Sequence, residues 1–252
     1  MARLNSWVLF RMALRASLLQ ATWNYERQQG VGWAYALEPA LEPLIPDPGP
    51  RTQRLAEHTA YFNTQPTMAS VALGVAANLE ERRAMGEGPD AAAMARVKSA
   101  LGSSLAAMGD RLFWMTLRPF AACLGAIVAL TNLARGALVL WLSYNVIHLT
   151  VRFLGVGWGY RGGPDVLGPK LRGGFERLTR TTTLLGCIAL GVLTAMLLAP
   201  GGEPRPLVFQ VLLMAGIGVG FVVAQRPRPS PTEWALGAAL VCTTAAWMRG
   251  VS

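Results

Sequence analysis

The sequence predicts an all-α integral membrane protein, with an amphipathic N-terminal helix in the membrane interface, re-entrant or broken helices through the first half, and about three C-terminal transmembrane helices. Three observations predict this. Of 252 residues, 52% are apolar and 15% charged, and mean hydropathy is +0.34. A soluble domain carries about a quarter charged residues, so this chain has too few to coat a water-facing surface. Long uncharged runs crowd the second half. The charge is also uneven: residues 1–110 hold ten Arg/Lys and ten Asp/Glu, whereas 111–252 hold thirteen against four, so the net +9 arises entirely in the second half. These basic residues are separated by uncharged runs and lack the aromatic interleaving of a nucleic-acid platform. The lipid bilayer, with no nucleic acid, is therefore the predicted partner of the charge pattern. The composition excludes a disordered chain, and three cysteines exclude a disulfide-stapled scaffold.

Taken in order, Trp7, Phe10, Leu14, Leu18, Ala21 and Tyr25 recur at three- and four-residue steps beside Arg11 and Arg15. That spacing fits an interfacial helix, and equally a helix packed on a core. The two arginines interrupt what would be the apolar centre of a cleavable signal. Residues 43–50 and 86–90 are turn-rich breaks. Between them, residues 58–79 carry no formal charge but contain Asn63, Gln65 and Pro66, which predicts a helix interrupted within protein. Glu80-Glu81-Arg82-Arg83 is expected to be a solvated helix end. Residues 99–117 run from small residues through Gly109-Asp110-Arg111 into an aromatic-rich helix.

Residues 119–134 and 136–151, split by Arg135, are each sixteen long, short of the roughly 20 that a span needs, and fit re-entrant hairpins or broken helices. Residues 152–180 hold six basic and two acidic residues, including two Arg-Gly-Gly triplets. By the positive-inside rule they form a flexible cytoplasmic connection. Residues 181–202 and 206–225 are long enough to span, and 234–248 form a shorter third run. Gly216, Gly218 and Gly220 suit close helix packing there rather than nucleotide binding. The expected organisation is a core over 1–180 followed by transmembrane helices over 181–252.

Five strings resemble one family in order and spacing. Residues 21–28 (ATWNYERQ) resemble its SWNFERMQ, 58–66 (HTAYFNTQP) its HLEFFNTQP, and 78–81 (NLEE) its ALEE; 109–119 (GDRLFWMTLRP) resemble GDPIFWGTLRP, and 144–155 (YNVIHLTVRFLG) resemble FNIIHLPVRYYG. Gly173-Gly174-Phe175 and Leu178-Thr179 continue the match. The family is subunit IID of the mannose/fructose/sorbose branch of the bacterial phosphoenolpyruvate-dependent sugar phosphotransferase system (PTS). The resemblance covers about residues 5–250. It implies a non-catalytic subunit in a hetero-oligomer of the bacterial inner membrane, paired with membrane subunit IIC to form a passage for a hexose of the mannose type. Soluble phosphocarrier subunits IIA and IIB would supply the phosphoryl group, and the N-terminal region would face the cytoplasm. No cofactor is implied. The alternative is a IID-like docking or regulatory protein that no longer transports sugar. Where the family has glycines and a proline ahead of Gly109-Asp110, residues 103–108 read SSLAAM, which predicts a more regular helix.

The residues agree with a non-catalytic role, because a phosphoryl relay needs an exposed histidine and His58 and His148 both lie among apolar neighbours, as expected of hydrogen-bonded packing histidines. Cys123, Cys187 and Cys242 have no metal-ligand or redox spacing, so no metal site is expected. Asp110, a carboxylate between apolar segments, either pairs with Arg111 or Arg118 or lines the sugar path. Asn63, Thr64 and Gln65 offer amides and a hydroxyl to sugar hydroxyls, with Trp114 as a stacking face; the alternative is capping of the broken helix ahead of Pro66. Asn24, Glu26, Arg27, Glu80, Glu81, Arg118, Asn145 and Arg152 are expected to serve structure or subunit docking.

Overall fold

The computed structural model describes residues 4–198, together with 211 and 215. The chain divides into two compact units, Met1–Thr194 and Ala195–Ser252, and the elements below build the first. The all-α architecture expected from the sequence is observed, and the bridges among the described residues are the isolated pairs Asn24 with Gln28 and Gln28 with Phe62. The runs 206–225 and 234–248, and with them Cys242, lie outside the described residues.

Helix α1 (Ser6–Arg15) starts at Asn5, whose side chain accepts from Val8 N, and tightens into a 3-10 turn over Ala16–Leu18. It is apolar on two sides. Val8, Met12, Ala13, Ala16 and Leu19 enter the core, while Trp7, Phe10, Leu14 and Leu18 stand exposed. The periodic residues that predict an interfacial helix are thus the outward face, and a second set packs inward. Phe10 stacks on Phe153, with ring centroids 6.3 Å apart.

Helix α2 (Gly30–Leu44) carries Pro39 and Pro43 internally. Proline donates no backbone hydrogen bond, so Pro39 leaves the carbonyl of Tyr35 without its helical partner. Arg15 fills that place, donating from an Nη to Tyr35 O at 3.1 Å while pairing with Glu38, and Arg11 pairs with Glu42 at 2.8 Å. The two arginines therefore clamp α1 to α2.

Both predicted breaks are present. Asp47 caps α3 (Pro48–His58), and Gly86, at φ +80, precedes Asp90, which caps α5 (Ala91–Gly109). Between them lies α4 (Ala69–Ala84), the centre of the unit, buried from Ala69 to Ala77 and again at Leu79 and Glu80. A helix buried on every side needs no amphipathic pattern, which is why its sequence shows none.

Helices α5 and α6 (Arg118–Ala129) are joined without a break by a π-helix over Asp110–Leu117, giving one rod over Ala91–Ala129. Pro119 supplies a cause for the wide turn: it withdraws one N–H and crowds the carbonyl four residues back, and i→i+5 bonding upstream relieves both. Residues 103–108 are regular α-helix, as their sequence predicts. A short turn leads to α7 (Leu133–Gly162), capped by Asn132, which returns along α6 and packs on α4. There Gly74 and Gly159 meet reciprocally. A Cβ on Gly74 would collide with the Val156 carbonyl, and one on Gly159 with the Val71 carbonyl.

Two expectations are corrected here. Residues 119–134 and 136–151 are not sixteen-residue pieces but parts of longer helices that meet in a hairpin at residues 130–132; three described helices, Ala91–Ala129, Leu133–Leu167 and Pro169–Leu197, are long and apolar enough to cross a membrane. The isolated Arg135 sits in the first turn of α7, where an exposed charge does not interrupt the helix. Residues 152–180 are likewise helical rather than a flexible connection: α7 runs to Gly162, a 3-10 turn spans Gly163–Leu167, and α8 (Pro169–Leu198) follows. Of the two Arg-Gly-Gly triplets, one ends α7 at Gly163, φ +52, and the other lies inside α8.

Candidate functional site

Four of the five resemblance strings converge around the segment that links α3 to α4. Residues 20–29 fold back on it: Gln29 N donates to Phe62 O at 2.8 Å and Phe62 N to Arg27 O at 3.3 Å. The Gln29 amide then clasps the Thr64 peptide from both sides, Nε2 donating to Thr64 O at 2.8 Å and Oε1 accepting from Thr64 N at 3.1 Å. Gln28, at φ +53, is the strained corner that allows this approach.

Thr64 and Gln65 are both buried and fully engaged. Thr64 Oγ1 donates to Gly102 O at 2.9 Å. Gln65 Oε1 accepts from the amides of Thr67 and Met68 at 2.8 and 3.0 Å, satisfying N–H groups that the start of α4 would otherwise leave orphaned. The rod formed by α5 and the π-helix passes against this segment, and a Cβ on Gly109 would meet Gln65 Cβ and Met68 Cγ at 2.6 Å. Glycine at 109 is therefore required by contact, and it places Asp110 beside the loop.

The fourth string arrives from α7. His148 Nδ1 lies 2.8 Å from Thr67 Oγ1, its ring stacks on Tyr144 at 5.5 Å, and Phe113 of the π-helix meets both rings edge-on. One helical turn on, Arg152 is buried and donates to Ala16 O at 2.8 Å, tying α7 to the end of α1. Arg152 is thus an internal strut, and its Nε and the Ser70 hydroxyl are buried with no hydrogen-bond partner among the described residues. Asn145 donates to Trp141 O within its own helix.

Other residues of these strings are more open. Asn63 is exposed, Asp110 is half-buried, and Trp114 is 40% exposed with the Arg118 guanidinium 4.1 Å from its ring centroid. Neither Arg111 nor Arg118 pairs with Asp110 among the described residues, so the expected internal ion pair does not form there; Arg118 is taken up by Trp114 instead. Asn24 Oδ1 accepts from Arg27 N, Arg27 lies 3.6 Å from Glu26, and Tyr25 projects at 88% exposure beside Trp23.

Beneath the locus lies a charge network that sequence reasoning placed in solvent. Glu80, expected at a solvated end, is 1% exposed. Arg54 Nη1 donates to its Oε2 at 2.6 Å, Arg83 reaches its Oε1 at 3.4 Å, and His58 Nε2 lies 3.1 Å from the same Oε1. Trp33 Nε1 donates to His58 Nδ1, which puts the ring proton on Nε2, facing Glu80. Burial by itself raises the Glu80 pKa, but the His58 hydrogen bond and the Arg54 charge outweigh it and hold the carboxylate below its ordinary value. Glu81 accepts from Leu4 N and from the Tyr160 hydroxyl.

Lys98 was not singled out by sequence. It is buried, donates to His58 O and Ala60 O at 2.8 and 3.1 Å, and lies over the rings of Trp33 and Phe62. It closes the C-terminal end of α3 and so fixes the start of the α3–α4 segment. Its available signal was composition, since only two of the 23 basic residues are lysine. Among the described residues, no three His, Cys, Asp or Glu side chains come together as a metal site.

Three helices long and apolar enough to cross a bilayer, two of which pack against a buried polar segment, define an integral membrane protein. The sequence profile described as "PTS system mannose/fructose/sorbose family IID component" matches residues 3–199, and the chain belongs to this family. It is 38% identical over 182 residues to the PTS system mannose-specific EIID component of Escherichia coli (strain K12), covering 71% of this chain and 64% of that one. It is 33% identical over 193 residues to the fructose permease IID component of Bacillus subtilis (strain 168), covering 77% and 70%. The match thus spans somewhat under two thirds of the Escherichia coli relative's length. Among solved structures, a chain in a cryo-EM structure of the mannose transporter ManYZ with microcin E492 superimposes with a TM-score of 0.62 at 29% identity, covering 99% of this chain and 98% of that one. A second chain, described as a membrane protein, gives 0.76 at 28% identity with the same coverage.

Proposed function

We propose that this chain works as the IID subunit of a PTS transporter, pairing with membrane subunit IIC to pass a mannose-type hexose across the bacterial cytoplasmic membrane, with soluble IIA and IIB delivering phosphate to the incoming sugar. The observation that carries this reading is the convergence of four family strings on one locus, where Asn63, Asp110 and Trp114 remain accessible while Thr64 and Gln65 are spent on holding the loop. A carboxylate with no ion pair among the described residues, an amide and an aromatic face are the groups that bind sugar hydroxyls and C–H faces. The π-helix supports it too, since such wide turns occur frequently at functional sites.

In this reading the subunit is non-catalytic. His58 is enclosed by Trp33 and Glu80, and His148 is held by Thr67 and Tyr144, so neither presents a nucleophile. The N-terminal region and the turn between α7 and α8, with Arg161 and Lys170 at its ends, face the cytoplasm, in keeping with the positive charge of residues 152–180. Residues 1–180 act as the sugar-handling core, itself membrane-embedded, and 181–252 add C-terminal transmembrane helices.

The test is uptake of labelled mannose by vesicles carrying this chain and IIC, supplied with the soluble components and phosphoenolpyruvate. Asp110→Asn and Asn63→Ala are each expected to lower uptake and phosphorylation about tenfold, the equivalent of ~1.4 kcal/mol, while the complex still assembles. Unchanged uptake in both assembled variants would remove these residues from the path. Assembly without any uptake by the unaltered chain would favour a docking or regulatory protein.

A further inference from the structure

Helices α7 and α8 flank an open groove of about 930 Å³, lined on the α7 side by Ile147 and Val151 of the fourth string but by none of Asn63, Asp110 or Trp114. Its walls are apolar over most of their length, with Ile147 and Val151 at one end and Phe175 and Leu178 opposite. Its other end is charged. Arg161 and Lys170 both line it and both are exposed, against the single acid Asp165, so the rim carries a net charge of +1 (two cations less one anion). Arg161 uses its Nε on Gly157 O at 3.0 Å and, like Lys170, makes no ion pair among the described residues. Trp158 lies one turn before Arg161, where an indole suits the headgroup boundary.

The dimensions are those of one leaflet. Ile147 and Arg161 are fourteen residues apart on a continuous helix, roughly 21 Å at 1.5 Å per residue. Half of a bilayer, headgroup region included, is about 20–22 Å. A sugar site would need several converging polar groups, and apart from the charged rim these walls supply few. A partner helix would leave two cations at the rim without a counter-charge. A phosphodiester above acyl chains satisfies both ends at once.

We infer that the α7–α8 groove is a binding site for an anionic phospholipid, whose acyl chains lie along Ile147, Val151, Phe175 and Leu178 and whose phosphate is held by Arg161 and Lys170. This is independent of sugar passage: the groove shares no residue with Asn63, Asp110 or Trp114.

The experiment uses the full chain in mild detergent, titrated with phosphatidylglycerol or phosphatidylcholine and read by native mass spectrometry. Phosphatidylglycerol is expected to be retained in preference to phosphatidylcholine. Arg161→Gln and Lys170→Gln should each reduce that preference about fivefold, as expected of one basic residue at an anionic lipid surface. Both are exposed replacements, so folding is not at stake. Excess inorganic phosphate should fail to displace the lipid, because the acyl chains contribute to holding it; displacement would show a free-anion site and overturn the proposal. On the unaltered chain, a phospholipid with a photoreactive acyl chain should label residues 146–151 and 171–178. Equal retention of both lipids, a preference unmoved by either variant, or a crosslinker at Phe175 that captures residues 199–252 or a partner protein in place of lipid would each overturn it.

Discussion

His58 Nε2 sits 3.1 Å from Glu80 Oε1 in a site where both side chains are essentially inaccessible, and Arg54 and Arg83 close the other sides of the carboxylate. The pair joins α3 to α4 directly below the loop that carries Asn63. Removing one partner from such a group leaves the others buried and uncompensated, at a cost of about 3–5 kcal/mol. Glu80→Ala is therefore expected to lower the thermal midpoint of the purified chain sharply and reduce its level in the membrane. An unchanged midpoint would show that the network is not stabilising.

The same carboxylate sets an acid limit on stability. Because the folded state holds Glu80 below its ordinary value, its contribution is fully present above the unfolded pKa of about 4.3 and is lost as pH falls through the folded one. Arg54, His58 and Arg83 face it and all favour the charged form. Thermal midpoints taken from pH 7 to pH 3 should be flat down to about 4.3 and then fall, and Glu80→Gln should flatten that limb. A Glu80→Gln profile that falls as steeply as that of the unaltered chain would assign the acid loss to other carboxylates.

Close packing of α4 on α7 depends on two glycines. Gly74→Ala would drive a methyl into the Val156 carbonyl, and Gly159→Ala into the Val71 carbonyl. Backbone cannot yield as a flexible side chain does, so each should cost at least the ~1–3 kcal/mol of ordinary overpacking. Gly173→Ala, where an added methyl meets nothing within 4 Å among the described residues outside its own helix backbone, is the control and should leave the midpoint unchanged or slightly raised. The readout is the thermal midpoint of the three variants measured side by side.

Legibility followed the range of each interaction. Asp47, Gly86 and Asp90 act on their own neighbours, so the breaks around α3 and α4 were visible in the linear sequence. Gln29 and Lys98 were not, because their partners lie 35 to 40 residues away and neither has a local pattern to announce it. Helix lengths were underestimated wherever a charge ended an apolar run. Asp110 sits in a π-helix that continues the rod, and Arg152 continues α7 because the Ala16 carbonyl receives it. Glu80 misled for the same reason: a carboxylate beside three other charged residues looks solvated until tertiary contacts supply its partners.

Trp114 and Arg118 separate stability from function most cleanly. The guanidinium lies 4.1 Å from the ring centroid at an exposed site, where a cation–π contact contributes only about 0.5–1 kcal/mol. Trp114→Ala should therefore move the thermal midpoint little. If the indole is a stacking face for sugar, the same variant should lower mannose uptake about tenfold, ~1.4 kcal/mol of lost binding, and Trp114→Phe should restore most of it by returning an aromatic face. Arg118→Gln leaves the ring in place and should retain uptake. Were Arg118→Gln as damaging as Trp114→Ala, the cation rather than the ring would be the group that matters, and the stacking role would fall.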